Sequence, residues 1–134
     1  MNHDAAAAGT IAAVVGGIPS TVWAMLAGKD PLESTLAAGS MLLPRERNRL
    51  RLLAAAVPVH LTLSFGWAYV LERTLPRHRE VAAGLVAGGA IAAVDLGIAA
   101  RWFPRIRALP VVPQVADHVA YGATVGYVLA RRRR

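Results

Sequence analysis

The stretch AAAAGTIAAVVGGIPSTVWAMLAG, Ala5 to Gly28, decides how this chain is read. It runs for 24 residues without an ionisable side chain, and Asp4 and Lys29 bound it. A hydrocarbon core about 30 Å thick asks for about 20 apolar residues of helix. Two further runs of 20 residues follow: Leu52 to Leu71, and Val81 to Ala100, the second interrupted only by Asp95. Leu109 to Ala130 is a fourth candidate that carries Asp117 and His118 and ends at the Arg131–Arg134 tail. A 14.1 kDa protein is too small to hide such runs as soluble core. The pattern predicts an all-α integral membrane bundle, one domain over 1–134, with spans at about 5–28, 52–71, 81–100 and 109–130.

Composition points the same way. Of the 134 residues, 55% are apolar and 17% charged, which excludes a disordered chain. The net charge of +7 sits in loops and at the C-terminus, so nucleic acid is not an expected partner. Cysteine is absent, which removes disulfides, thiolate metal sites and cysteine nucleophiles. Met1 to Asp4 holds no Lys or Arg, so the basic segment of a signal peptide is missing and the first span is expected to stay in the protein. Trp23, Trp67 and Trp102 lie near span ends, where amphipathic rings favour the headgroup level.

The first loop predicts a short interfacial helix over about 31–43. Asp30 is a good N-cap, Pro31 suits the first turn, Glu33 completes a capping box, and Pro44 stops the helix. Leu32, Leu36 and Leu43 fall near one face. Arg45, Arg47, Arg49 and Arg51 then read as phosphate-facing anchors for the second span.

Orientation is not decided by charge. With four spans, the N-terminus, second loop and C-terminus share a face carrying 7 Lys/Arg, against 8 on the face of loops one and three. Such balance is compatible with dual topology, as in small multidrug transporters and fluoride channels. The motifs of those families are absent: the first span has no glutamate, and there is no Gly-Gly-x-x-Gly-Ala-x-x-Arg-Tyr stretch.

Polar residues inside a bilayer are expensive and mark functional candidates. At about 1.5 Å per residue, Asp95 lies about 9 Å from the face of loops one and three. His60, Asp117, His118, Ser20 and Thr21 all lie at about 12–14 Å. All four spans thus contribute to one polar layer, with Tyr121 one turn from Asp117 and Gln114 one turn from His118. Pro19 and Pro58 sit in that layer, and the Ser20 and Thr21 hydroxyls can repair the backbone beside Pro19. Asp95 could pair with Arg101, and His60 with Asp117, to hold helices together. Alternatively His60, Asp95, Asp117 and His118 line a site for proton relay, a cation or a small polar ligand. No His-x-x-x-His spacing sets a metal site, and no cofactor is implied. Asp117 and His118 are adjacent and so point about 100° apart on a helix. His3 and His78 lie outside the spans. Gly84-x-x-x-Gly88 and Gly122-x-x-x-Gly126 match the motif for close helix approach.

Three stretches together resemble small bacterial multi-span proteins grouped as a domain of unknown function. They are Asp117-His118-x-x-Tyr121-Gly122-x-x-x-Gly126, Gly17-Ile18-Pro19-Ser20-Thr21 and Lys29-Asp30-Pro31-Leu32-Glu33. The resemblance implies the bacterial inner membrane and supplies no activity. No enzyme motif is present. The function expected is that of a structural or accessory membrane component, and the alternative is a small transporter or channel, of dual topology or not, using the intramembrane His/Asp cluster. The partners expected are the lipid bilayer and a homo-oligomer or larger membrane complex.

Overall fold

The structure is a computed structural model describing residues 3–134. Its elements are α1 (His3–Val15), α2 (Ile18–Leu26), α3 (Glu33–Gly39), α4 (Arg49–Thr74) and α5 (Glu80–Gly97), then a 3-10 turn (Ala99–Trp102), α6 (Pro104–Arg107) and α7 (Val111–Arg132). Four rods lie side by side: α1–α2 end to end, α4, α5 and α7. Arg132 meets Asp4 at 2.7 Å, and Arg133 reaches Glu72 at 3.6 Å and Glu80 at 3.7 Å, which gathers the N-terminus, the C-terminus and loop two at one end. At the other end Asp30 meets Arg49 at 2.5 Å and Glu33 meets Arg105 at 2.7 Å, joining loops one and three.

Small residues make up much of the interior, including Ala5, Ala8, Ala12, Ala68 and Ala92, with a few large ones such as Leu36, Leu52 and Leu129, while many other large side chains face outward. Leu26 is 85% exposed, Val112 79% and Val86 75%, which in water would be an aggregating surface. In lipid it is the natural arrangement, because apolar side chains gain little by leaving the hydrocarbon and helices associate through close packing instead. The tightest seam is α5 against α7. There a Cβ on Gly84 would run into the Gly122 carbonyl, one on Gly88 into the His118 carbonyl, and one on Gly126 into the Glu80 carbonyl.

Among the described residues three segments are long and apolar enough to cross a membrane: His3–Leu26, Arg49–Thr74 and Glu80–Trp102. The chain is therefore a helical membrane protein. The fourth expected span forms a helix of 22 residues, α7, which falls short of that apolarity. Its position explains the shortfall. α7 packs against α1, α2, α4 and α5, so its polar side chains face helices rather than lipid.

Loop one departs from expectation. The helix covers only Glu33–Gly39, and its N-cap is Leu32 without a side-chain cap bond. The capping box does not form, because both carboxylates are used elsewhere. Asp30 accepts from the Leu32 N–H at 3.0 Å and binds Arg49, while Glu33 takes the Arg105 fork. The Arg49 guanidinium and the Leu32 amide together hold the exposed Asp30 carboxyl below its ordinary value. Leu36 and Ala37 are fully buried, and a Cβ on Gly39 would strike the Leu52 carbonyl. The apolar face of α3 thus packs on α4 instead of lying on the membrane surface.

Candidate functional site

The first span is broken, and the break organises the site. α1 ends at Val15 and α2 begins at Ile18, with Gly16 and Gly17 between. Pro19 occupies the first turn of α2 and brings no N–H. A helix end leaves orphan carbonyls on one side and orphan amides on the other. Side chains from two other rods meet both. His60 of α4 lies 2.7 Å from the Ala13 carbonyl through Nε2, which must therefore carry the proton. Asp117 of α7 accepts from the Ser20 N–H at 2.7 Å and so caps α2 from across the bundle. A donor thus stands at the negative end of α1 and a carboxylate at the positive end of α2, the favourable sense for both dipoles. The Thr21 hydroxyl completes the local repair by donating to the Gly17 carbonyl at 2.8 Å. α2 then ends in a Schellman arrangement. Gly28 adopts φ +64°, and the Lys29 N–H reaches the Ala24 carbonyl at 2.8 Å.

The second polar unit joins α7 to α5. His118 lies 2.7 Å from the Gln114 carbonyl through Nδ1 and 3.1 Å from Asp95 Oδ2 through Nε2. The Gln114 carbonyl only accepts, so Nδ1 carries a proton. The Nε2 contact then holds one more proton, on the imidazole or on the carboxyl, and the pair is neutral either way. Gln114 extends the chain by donating to the Ser34 hydroxyl at 2.8 Å. Tyr121 donates to the Ser64 carbonyl, and Gly16 gives its ring room, since a Cβ there would sit 3.1 Å from the Tyr121 Cβ.

The two pairings considered from sequence are not the ones found. Asp95 bonds His118 and not Arg101, whose Nε turns back to the Gly97 carbonyl at 2.9 Å. His60 bonds backbone, not Asp117. For His60 and Asp117 the reason lies in the break, whose freed backbone groups need partners inside the bilayer and take both side chains.

All seven residues singled out from sequence (Ser20, Thr21, His60, Asp95, Asp117, His118 and Tyr121) line one cavity of about 600 Å³. It forms because α2 and α4 stand apart. Its upper wall comes from Ser34, Thr35 and Met41 of loop one and Phe103, Ile106 and Leu109 of loop three. The opposite half of the bundle is closed by Ala8, Ala68, Leu71, Val125 and Leu129, while Ala12 and Ile91 of the same core form its boundary with the cavity. The bundle is therefore packed shut in its terminal half, and the cavity lies in the half nearer loops one and three. Sequence reasoning did not single out Ser64, although it lies one turn from His60 on the same face of α4. Trp67, expected at a headgroup boundary, lines the cavity and packs against the closed core. Among the described residues no cluster of three or more His, Asp or Glu side chains could hold a metal. Comparison with protein-family models, curated proteins and solved structures finds no match.

Proposed function

We propose that the chain crosses the membrane four times, with α7 as the fourth pass, and acts as a transporter or channel whose cavity receives a small solute within the bilayer. The observation that carries this reading is the broken first span. Its two half-helix ends and their partners, His60 and Asp117, all border the cavity. Irregular backbone at membrane depth is tolerated where it lines a cavity, and broken helices of this kind serve as solute sites in membrane transport. The level of α7 is supported by contacts at both its ends: the ion pairs of Arg132 and Arg133 at one, and the Gln114 hydrogen bond to Ser34 at the other. A bacterial inner membrane, which the resemblance described above implies, is part of this reading.

A structural or accessory role, within a homo-oligomer or a larger membrane complex, is the second reading. It is favoured by the absence, among the described residues, of any buried side-chain polar atom without a hydrogen-bond partner. Thiol accessibility separates the two, and the chain has no native cysteine to interfere. Ser64→Cys probes the cavity floor, and Val86→Cys, 75% exposed on the outside of α5, probes lipid. In sealed vesicles of each orientation, a membrane-impermeant thiol reagent should label Ser64→Cys from the loop-one side only and leave Val86→Cys unlabelled. Labelling from both sides would indicate a channel. Equal inertness of the two cysteines would leave the accessory role.

A further inference from the structure

The cavity has a charge character opposite to that of the chain. The protein carries 15 Lys and Arg residues, and none of them reaches the lining. The acids that do are Asp95 and Asp117. Asp95 shares its proton with His118, so that pair presents no net charge. Asp117 is faced by His60 and by the positive end of α2, which offers roughly half an elementary charge. Its carboxylate has room for about four donors, and among the described residues only Ser20 is brought to it as a hydrogen-bonding partner. The opening is thus lined by a carboxylate that can accept further partners, with no fixed cation from Lys or Arg to compete.

Size and walls narrow the ligand further. A volume of about 600 Å³ far exceeds a bare ion and lies within the range of pockets for drug-sized molecules. Trp67, Phe103 and Tyr121 supply aromatic surface, and Val57, Leu63 and Leu96 supply aliphatic surface. Aromatic faces attract cations, the more so when water is excluded. Resting on the reading of this cavity as a solute site, we infer that its ligand is a lipophilic monovalent organic cation. Its charge lies beside Asp117, and its apolar groups lie against the aromatic walls.

Tetraphenylphosphonium and tetraphenylborate share shape and differ in sign, so they test the inference directly. Radiolabelled tetraphenylphosphonium is titrated onto the full chain in nanodiscs, with empty nanodiscs as the blank. Saturable binding at one site per chain is expected, and excess tetraphenylborate should not displace it. Asp117→Asn keeps an oxygen for the Ser20 N–H and removes the charge, so affinity should fall by at least about tenfold. No saturable binding, equal displacement by the anion, or unchanged affinity in a folded Asp117→Asn protein would each overturn the inference. Should that variant not fold, the contrast between the two ions on the native chain decides alone. If Ser64→Cys is labelled while the phosphonium does not bind, the ligand class is wrong and the solute site stands. If neither occurs, both fail.

Discussion

At the scale of single residues, the His118–Asp95 contact shows how a bilayer changes the worth of a polar group. The pair joins α7 to α5 at 3.1 Å, and the Gln114 carbonyl fixes the ring from behind. In a membrane interior such side-chain bonds contribute about 0.6 kcal/mol on average and up to about 1.7 kcal/mol, because an unfolded helix also finds partners in lipid. A double-mutant cycle with Asp95→Asn and His118→Gln, read by reversible unfolding in a mixed detergent, should give a coupling of about 1–1.5 kcal/mol. A coupling near zero would mean that the two side chains do not hold α5 to α7. The pair's neutrality also matters for neighbours. It leaves Asp117 as the cavity's unpaired carboxylate, whose role at the α2 terminus is electrostatic as much as geometric.

At the scale of elements, the glycines of α5 and α7 separate two meanings of one residue type. Gly84, Gly88, Gly122 and Gly126 stand where any Cβ meets backbone of the other helix, whereas a Cβ on Gly89 meets nothing within 4 Å. Gly122→Ala should therefore force the helices apart and cost about 1–3 kcal/mol. Gly89→Ala should be neutral or stabilise by about 0.5–1 kcal/mol, through lower backbone entropy in the unfolded chain. Thermal midpoints of the two purified variants check this, and a tolerated Gly122→Ala would contradict the seam. The same elements show what could be read from sequence and what could not. Long apolar runs, broken only by Asp95 in α5, fix helices over α1–α2, α4 and α5 because length and polarity are local properties. The polar layer was legible because each polar residue has a depth set by its distance from a charged boundary. Pairing was not, since it depends on the break at Gly16 and Gly17, whose freed backbone groups draw His60 and Asp117 away from each other. The short helix after Asp30 was misjudged for a similar reason: its capping carboxylates are claimed by arginines 19 and 72 residues away.

At the scale of the whole molecule, the two ends of the bundle do different work, and their clasps predict different consequences. At the terminal end Arg133, only 13% exposed at its side chain, lies between Glu72 and the buried Glu80, and donates to the Glu72 and Leu75 carbonyls. This clasp closes the half that contains the apolar core. Removing one member of a buried ion pair typically costs about 3–5 kcal/mol, because the other charge stays behind. The contacts here are longer than ideal at 3.6 and 3.7 Å, so Arg133→Met should cost about 3 kcal/mol and lower the unfolding midpoint of the entire bundle. At the loop end the Arg105–Glu33 fork is half exposed, and pairs of that kind contribute about 0–1 kcal/mol. Arg105→Gln should leave global stability almost unchanged and act on access instead. It loosens the contact between α6 and α3, both of which border the cavity, so labelling of Ser64→Cys should become faster. Measuring midpoint and labelling rate in the same two variants tests the division. A bundle with one function per end predicts that Arg133→Met moves the midpoint and Arg105→Gln moves the rate. If both variants moved both quantities together, the two ends would be one cooperative unit, and the cavity could not open without loosening the core.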